Sequence, residues 1–263
     1  MDSLSEEWVR GASWYLEKAL EIVANSPDPV SAADAARRVR PGMGSLDFLY
    51  LVVRAAAVRG LNMREVARSV ATYLDDAKRR LDVSITKAGC PKRVATVSFS
   101  RAVTRFLELK RSCVEVVYLA ESRPGAEFAE ALRMYSAFTD VVPIPDSAVG
   151  AFEYDAAVVG VDGYYLDAVL NKVGTLPLLA AARARGARTV AVFESYKAVP
   201  LTSPKPLEVS VELGGRTTAV PIFDKIPPGL FDEFITDYGI FRSLDPADLF
   251  HKALEKILNK RPE

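Results

Sequence analysis

The sequence contains only one histidine, His251, and only two cysteines, Cys90 and Cys113. A zinc site or a histidine-based catalytic triad needs several such side chains close together, so neither is expected here. The two cysteines lack metal-ligand spacing and form no disulfide framework, which predicts isolated thiols in a reducing compartment. We therefore expect neither a metal site nor a cofactor.

Excess charge of either sign and long hydrophobic runs are also absent. Thirty-four basic residues balance thirty-four acidic ones, so no overall positive field favours nucleic acid or an anionic membrane. The most apolar stretch, residues 48–58, is too short to cross a bilayer and contains Arg54. The first residues lack the basic and apolar regions of a signal peptide. We expect a cytoplasmic protein with no membrane and no direct nucleic-acid partner.

Amide side chains are scarce as well. Glutamine is absent and asparagine occurs only four times, whereas arginine, glutamate and lysine are plentiful. Proteins of thermophiles tend to avoid amides and to favour ion-pair networks. The composition therefore hints at a thermophilic source.

The first third of the chain carries apolar side chains at helical spacing. Breaks at residues 26–29, 40–44 and 60 divide it into four predicted helices, with Ser31 expected to cap the second one. The first helix ends before Ser26, and the others are predicted over residues 31–38, 45–58 and 62–81. We assign residues 1–88 to an N-terminal helical domain.

From residue 89 the pattern changes to short apolar runs that alternate with helical segments. Such alternation predicts an α/β fold with a mostly parallel sheet and right-handed crossovers. A hairpin is expected at residues 208–221, and closing helices near residues 229–234 and 246–258. Residues 89–263 form the predicted second domain. Strands are predicted over residues 93–97, 114–120, 140–144, 155–161 and 189–193, with helices over 100–109, 126–136 and 175–185.

Polar residues follow each predicted strand, where ligands bind in open α/β sheets. Each one taken alone is more simply explained as a helix cap or turn residue. Together they predict a site for a small, charged, polyol-like ligand. These candidate residues are Ser98, Ser100, Glu121, Arg123, Asp146, Asp162 and Lys197.

Asp162 and the segment from Asn171 to Thr175 each have an alternative explanation. Asp162 follows an apolar strand, where partial burial would raise its pKa and suit it to proton transfer, or it only turns the chain at Gly163. In the segment Asn171-Lys172-Val173-Gly174-Thr175, Thr175 opens a helix whose free N–H groups favour an anion, and Lys172 adds a positive charge. The alternative is a capped helix beside a solvated lysine.

A set of ordered motifs extends from residue 40 to residue 228: Arg40-Pro41-Gly42-Met43-Gly44-Ser45-Leu46, Val97-Ser98-Phe99-Ser100-Arg101, Glu121-Ser122-Arg123-Pro124, Asp146-Ser147-Ala148-Val149, Gly160-Val161-Asp162-Gly163, Asn171-Lys172-Val173-Gly174-Thr175, Glu194-Ser195-Tyr196-Lys197 and Pro221-Ile222-Phe223-Asp224-Lys225-Ile226-Pro227-Pro228. Together they resemble the alpha/beta/delta subunit family of translation initiation factor 2B. Its superfamily also contains ribose 1,5-bisphosphate isomerase and methylthioribose-1-phosphate isomerase.

The resemblance implies a helical domain followed by a Rossmann-like domain that mediates dimerisation. In the isomerase branch, a cysteine after the first strand and an aspartate after the fourth move protons between aldose and ketose phosphosugars. Asp162 matches that aspartate, and Asn171 and Lys172 match the pair that binds substrate. Arg40 is expected on a phosphate, with Gly42 beside it in the same motif.

The cysteine of the isomerase branch is replaced by Ser98. A thiol can exchange protons near neutral pH, whereas a hydroxyl needs a strong neighbouring base. We therefore expect a regulatory, initiation factor 2B-like protein: a homo-oligomer that retains a pocket for a phosphosugar or nucleotide and can contact initiation factor 2. The alternative is an aldose–ketose isomerase of a phosphorylated pentose. A dinucleotide enzyme is disfavoured because no Gly-x-Gly-x-x-Gly motif follows the first strand.

Overall fold

The computed structural model describes residues 11–259, which contain eight α-helices. The sequence pattern before Gly11 therefore lies outside the described residues. No helix in the described range is both long and apolar enough to span a bilayer. The helices are α1 (Ala12–Ala24), α2 (Pro29–Val39), α3 (Gly44–Val58), α4 (Met63–Lys87), α5 (Arg101–Lys110), α6 (Phe128–Tyr135), α7 (Thr175–Ala184) and α8 (Pro246–Leu258).

The first four helices confirm the predicted helical region, with two local corrections. Asp28, not Ser31, caps α2: its carboxylate accepts the backbone N–H of Ser31, which lies inside the helix because Pro29 starts it. The fourth helix continues six residues past the predicted Leu81, to Lys87. Leu81 and Ile85 are buried against the α/β part, so tertiary packing extends this helix.

A seven-stranded sheet forms the centre of the α/β part, as expected from the alternating pattern. Six strands are parallel and run in the order β3-β2-β1-β4-β7-β11, the strand order of a Rossmann fold, and β12 pairs antiparallel at one edge. The strands are β1 (Arg93–Val97), β2 (Val116–Ala120), β3 (Asp140–Ile144), β4 (Ala156–Val159), β7 (Arg188–Val192), β11 (Glu233–Thr236) and β12 (Gly239–Phe241).

The closing helix predicted near residues 229–234 is not formed as an α-helix, and strand β11 begins at Glu233, inside the predicted range. Phe234 and Ile235 are both buried, one on each face of the sheet, and β11 pairs in parallel with β7. A run this short and apolar fits a buried strand as well as a helix turn. Only a 3₁₀ turn, Pro228–Leu230, precedes it.

Two smaller sheets lie beside the central one. The predicted hairpin is confirmed as β8 (Glu208–Leu213) and β9 (Arg216–Pro221), joined at Gly214-Gly215. A three-stranded antiparallel sheet was not predicted from the sequence. Its strands are β5 (Gly163–Tyr164), β6 (Val169–Lys172) and β10 (Phe223–Ile226), in the order β10-β6-β5.

Apolar clusters cover both faces of the central sheet, which explains why β4 is buried along its whole length. Helices α4, α5 and α6 pack on one face, and α7 packs on the other. A third cluster contains buried side chains from all of the first four helices, from α8, and from the small sheet, which contributes Leu170 and Phe223. The helical region is thus packed against the α/β part through apolar side chains.

The joint between the two parts depends on close backbone contacts at two glycines. The N–H of Gly44 donates to the backbone carbonyl of Asp162 at 2.9 Å. A Cβ atom on Gly44 would lie 2.2 Å from the carbonyl oxygen of Lys197, and one on Gly163 would lie 2.7 Å from the carbonyl oxygen of Gly42. Larger side chains cannot occupy these positions without separating the backbones.

The two cysteines are joined in a disulfide, so the expectation of isolated thiols is wrong. The Cα atoms of Cys90 and Cys113 lie 6.1 Å apart, within the range that a disulfide spans. Cys90 follows the end of α4 and Cys113 precedes β2. The bond therefore ties the exit of the long helix to the central sheet, a contact between residues separated by 23 positions that spacing alone does not reveal.

Candidate functional site

A cleft of about 710 Å³ opens at the carboxyl ends of β1 and β4. These two strands are neighbours, and the strand order reverses between them, so their crossover helices lie on opposite faces of the sheet. Rossmann-like sheets bind ligands at this position. Ser98 follows β1 and Asp162 follows β4, and both line the cleft and its narrow inner end.

Two serines at the ends of neighbouring strands adopt left-handed backbone conformations. The φ angle is 66° at Ser98 and 65° at Ser122. The N–H of Ser98 donates to Ser122 Oγ at 2.7 Å, and Ser122 Oγ–H donates to the carbonyl of Ala120 at 2.9 Å. The hydroxyl of Tyr135 donates to the carbonyl of Ser98 at 3.0 Å. These bonds hold both strained residues in place.

Glu127 connects Ser98 to Lys172. Ser98 Oγ–H donates to Glu127 Oε1 at 2.8 Å, and the Lys172 ammonium lies 3.0 Å from the same oxygen. Only 8% of the Glu127 side chain and 12% of the Lys172 side chain remain exposed. Lys172 is therefore not a solvated lysine: it forms a largely enclosed ion pair on the wall of the cleft.

Asp162 lies at the inner end of the cleft, where enclosure disfavours its ionised form. Burial, with a smaller contribution from Glu127, raises the pKa of Asp162 to about 6, although nearby Lys197, Lys172 and Arg40 act in the opposite direction. The carboxyl group thus titrates close to neutral pH. A group with this property can accept or release a proton under physiological conditions.

Lys197 and Arg40 bring further positive charge to this end of the cleft. The Lys197 ammonium lies 3.1 Å from Glu194 Oε2 in a buried pair. Burial opposes ionisation of Glu194, but Lys197 holds the pKa of Glu194 below its usual value. Arg40 is buried, and its Nε–H donates to the hydroxyl of Tyr15 at 3.1 Å. Both cations line the cleft or its inner end.

The N-terminus of α7 is already occupied by a side chain of the protein. Asp224 Oδ2 accepts the N–H groups of Gly174 and Leu176 at 3.0 and 2.8 Å. The expectation that this helix offers free N–H groups to a ligand is therefore wrong at these two positions. Asn171 is buried beside it, and its amide donates to Thr175 Oγ1 at 3.0 Å.

The other predicted site residues are divided between the cleft and its supports. Ser100 borders the inner end, where its hydroxyl also caps α5. Arg123 lines the cleft and forms an ion pair with Glu121, which is not among the lining residues. Asp146 accepts the N–H groups of Ser122 and Arg123 and so shapes the loop after β2. Gly42 has a φ of 99° and lies against Leu170 and Phe223, below the cleft surface.

Sequence reasoning missed Glu127 and the part played by the hairpin. Glu127 was included in a helix predicted from residue 126, whereas α6 begins at Phe128 and leaves Glu127 in the loop after β2. The signal available was its place shortly after a parallel strand. The hairpin residues Val209–Leu213 line one side of the cleft, and no sequence pattern indicated this. Among the described residues, no cluster of three or more histidine, cysteine or acidic side chains could hold a metal ion.

A family model agrees with this architecture. The model of the Initiation factor 2 subunit family matches residues 65–243, which include the end of the helical region and the whole parallel sheet. A methylthioribose-1-phosphate isomerase of Pseudomonas syringae pv. syringae is 26% identical over 274 residues, covering 90% of this chain and 75% of the relative.

Solved structures show the same fold. The translation initiation factor eIF-2B of Pyrococcus horikoshii OT3 superposes with a TM-score of 0.79 and 25% identity, over 92% of this chain and 94% of that one. The tetrameric eIF2B-beta2-delta2 complex from Chaetomium thermophilum gives a TM-score of 0.69 at 16% identity, over 95% of this chain and 91% of that one. The resemblance at the level of the superfamily is thereby confirmed.

Proposed function

Because the chain belongs to the Initiation factor 2 subunit family, we propose that it is an initiation factor 2B-like binding protein whose cleft holds a small phosphorylated sugar or nucleotide without converting it. The observation that carries the proposal is the bond from Ser98 Oγ to Glu127. The carboxylate that could act as a base toward this hydroxyl is already paired with Lys172. A carboxylate balanced in this way cannot remove the proton of an alkyl hydroxyl at a useful rate.

The size and charge of the cleft support a phosphorylated ligand. A volume of about 710 Å³ fits a sugar phosphate or a nucleotide. Arg40, Lys172 and Lys197 supply cationic donors for phosphate oxygens, and the carboxyl groups of Glu127 and Asp162 supply acceptors for sugar hydroxyls.

A thermal-shift screen of phosphosugars and nucleotides tests the proposal. A ligand at 100 times its Kd stabilises the folded state by ~2.7 kcal/mol, which raises the melting temperature measurably. Lys172→Gln is expected to lose most of this shift. Lys92→Gln removes a charge from an exposed pair with Glu115 and serves as the matched control. Rapid conversion of ribose 1,5-bisphosphate to ribulose 1,5-bisphosphate by the wild type would refute a purely binding role.

The partners proposed for this chain are a second copy of itself and initiation factor 2. The Chaetomium thermophilum relative is described as a tetrameric complex of two kinds of subunit, which supports self-association in this family. We also propose a cytoplasmic location. Light scattering of the purified chain measures the oligomer, and a strictly monomeric protein at micromolar concentration would contradict self-association.

A second candidate function is aldose–ketose isomerisation of a phosphorylated pentose. The observation that favours it is the raised pKa of Asp162, about 6, at the inner end of the cleft. Methylthioribose-1-phosphate, from the name of the Pseudomonas syringae relative, and ribose 1,5-bisphosphate are the substrates to assay. If turnover is found and Asp162→Asn leaves it undiminished, Asp162 does not transfer the proton.

A further inference from the structure

One edge of strand β8 faces the cleft. Successive residues of a strand point their side chains to opposite faces of the sheet, so a cavity beside one face contacts every second residue. Here five residues in a row, 209–213, line the cleft. Strand β8 pairs with β9 on its other side and with no further strand among the described residues. The cleft therefore lies along a free strand edge.

The register of the hairpin identifies the backbone groups on this edge. Gly214-Gly215, at φ angles of 57° and 75°, forms a two-residue turn, so the flanking residues Leu213 and Arg216 exchange backbone hydrogen bonds. Along an antiparallel ladder, pairs that exchange such bonds alternate with pairs that do not. The N–H and C=O groups of Ser210 and Glu212 therefore point away from β9 and toward the cleft.

Pro221 agrees with this alternation. It lies opposite Glu208, two residues before Ser210, and a residue without an N–H group suits a pair that exchanges no hydrogen bonds. Within residues 11–259, no hydrogen bond uses the outward groups of Ser210 and Glu212. Strand β8 also lacks the proline, lysine or bulge that commonly protects an exposed edge. The edge is thus a template for another strand.

We propose that this edge binds an extended segment of a partner protein as a third, antiparallel strand. An extended backbone presents its donors and acceptors at every second residue, which matches the spacing of Ser210 and Glu212. Antiparallel addition continues the geometry that β8 already shares with β9. The proposal adds a macromolecular partner to the small ligand proposed above, on the hairpin side of the cleft.

The side chains of β8 define the segment that fits. Glu212 is exposed and forms no ion pair within residues 11–259, so a lysine or arginine opposite it supplies the complementary charge. On the other face, Val209, Val211 and Leu213 favour apolar side chains at the alternate positions, and 66% of Leu213 is exposed for such a contact. The partner segment therefore alternates basic and apolar residues.

Calorimetric titration of the full-length protein with synthetic peptides tests the proposal. The probe is a six-residue peptide in which lysine and valine alternate, with its N-terminus acetylated and its C-terminus amidated. We expect saturable binding to the wild type. With lysine opposite Glu212, the lysine N–H groups of the peptide face β8, so methylation of these nitrogens is expected to weaken binding at least tenfold. Methylation of the valine nitrogens, which face away, should weaken it much less.

A matched pair of proline variants tests the same bonds from the side of the protein. Ser210→Pro removes an outward N–H and leaves the bonds to β9 in place, so it is expected to bind the peptide at least fivefold more weakly. Thr217→Pro is the control. Thr217 lies opposite Glu212, so its N–H points away from β8, and it does not line the cleft. This variant is expected to bind the peptide as the wild type does.

Glu212→Lys changes the charge without altering the backbone, and it decides the question if a proline variant does not fold. It is expected to bind the lysine peptide at least fivefold more weakly than the wild type does. A peptide with glutamate in place of lysine should bind this variant more tightly than it binds the wild type.

Three results would overturn the proposal: no binding of the lysine peptide, equal binding after methylation of its lysine nitrogens, or equal binding to Ser210→Pro and Thr217→Pro. An unchanged peptide preference in Glu212→Lys would overturn it as well. The small ligand is tested separately, by the thermal-shift screen with Lys172→Gln. Failure of strand addition therefore leaves the proposed function intact, and failure of that screen leaves strand addition intact.

Discussion

Ser98 and Ser122 carry side chains in a backbone region that normally favours glycine, at φ angles of 66° and 65°. Each such residue costs about 1–3 kcal/mol, and the surrounding hydrogen bonds must outweigh that cost. In return, the strained backbone fixes the positions of the two serine hydroxyl groups. The left-handed turn after β1 directs Ser98 Oγ to Glu127, and the one after β2 places Ser122 Oγ under the N–H of Ser98.

The raised pKa of Asp162 leads to a prediction about stability. In the unfolded chain this carboxyl group has a pKa of about 3.9, against about 6 in the folded state. The folded state therefore binds the proton more tightly, so the free energy of unfolding falls as the pH rises from about 4 to about 6 and stays lower above that window. Asp162→Asn has no carboxyl group to ionise, so the variant avoids the loss of stability above this pH window. Because the residue keeps some contact with solvent through the cleft, we expect a gain of ~1–2 kcal/mol at pH 8.

Urea denaturation at pH 4 and pH 8 measures this effect. At pH 4 the wild-type carboxyl group is protonated, and the variant should match the wild type closely. An equal difference between the two proteins at both pH values would show that the effect of the substitution is not electrostatic.

At the scale of elements, the disulfide between Cys90 and Cys113 fastens the end of α4 to the sheet. Lys110 supports the same place, because its ammonium donates to the carbonyls of Thr86 and Ala88 at 3.0 and 2.7 Å. These carbonyls lie at the C-terminus of α4, where a cation is favoured. The C-terminus of α4 is therefore held by the disulfide and by the buried ammonium group of Lys110.

Removing the disulfide is expected to lower stability. Closing a loop of this length in the unfolded chain is worth ~3 kcal/mol. For a protein of this size that corresponds to a fall of about 6–12 °C in melting temperature. Cys90→Ser and reduction of the wild type should each produce the decrease. Reductant should have no further effect on Cys90→Ser. If reductant does not change the melting temperature of the wild type, the disulfide does not stabilise the protein as expected.

Asp224 acts on α7 from a strand 48 residues away in the chain. It accepts two N–H groups at the helix N-terminus, which would otherwise remain unpaired. Asp224→Ala is expected to reduce the free energy of unfolding by ~1–2 kcal/mol. Asp224→Asn keeps an acceptor oxygen and should lose less. Chemical denaturation at neutral pH checks both, and equal losses for the two variants would contradict a capping role.

The elements that could be predicted from the sequence are those with a strong local signal. Strand β4 is apolar along its length, the hairpin turns at Gly214-Gly215, and α8 starts at Asp245-Pro246. The missed elements depend on distant partners. Strands β6 and β10 pair across about 50 residues, and β11 is too short for its period to separate a strand from a helix turn.

The same division applies to the site. Ser98 and Asp162 could be predicted because the parallel strands β1 and β4 bring their carboxyl ends together at one edge of the sheet. Lys172 ends the antiparallel strand β6 and was indicated only by its own sequence segment and the family resemblance. Glu127 could not be placed, because its role depends on where the loop after β2 stops and α6 begins. The occupation of the α7 N-terminus by Asp224 could not be foreseen either, because it requires the pairing of β10 with β6.

At the scale of the whole molecule, the helical region and the sheet are held together by apolar packing and by the contact of Gly44 with Asp162 and Lys197. Helix α8, near the C-terminal end, also packs among the first four helices. We propose the boundary between the two parts at residues 88 and 89, at the turn that the disulfide fastens.

Gly44→Ala is expected to disturb this joint. The added Cβ atom would lie 2.2 Å from the carbonyl oxygen of Lys197, so the backbones must move apart. We expect a loss of ~1–3 kcal/mol in the free energy of unfolding. Gly229→Ala places its Cβ in open space and should change stability by less than ~0.5 kcal/mol. If the two substitutions have equal effects, the backbones at Gly44 and Lys197 can move apart without a loss in the free energy of unfolding.

Asp162 contributes its backbone carbonyl to the contact with Gly44 and its carboxyl group to the cleft, so a movement of this residue affects both. A ligand that fixes the carboxyl group also restricts the backbone on which Gly44 rests. We therefore expect substitutions in the loop of residues 40–44 to change ligand affinity. By the same coupling, a bound ligand is expected to change the stability of the contact between the helical region and the α/β part. Selection for tighter ligand binding should therefore recover mutations in that loop as well as in the cleft.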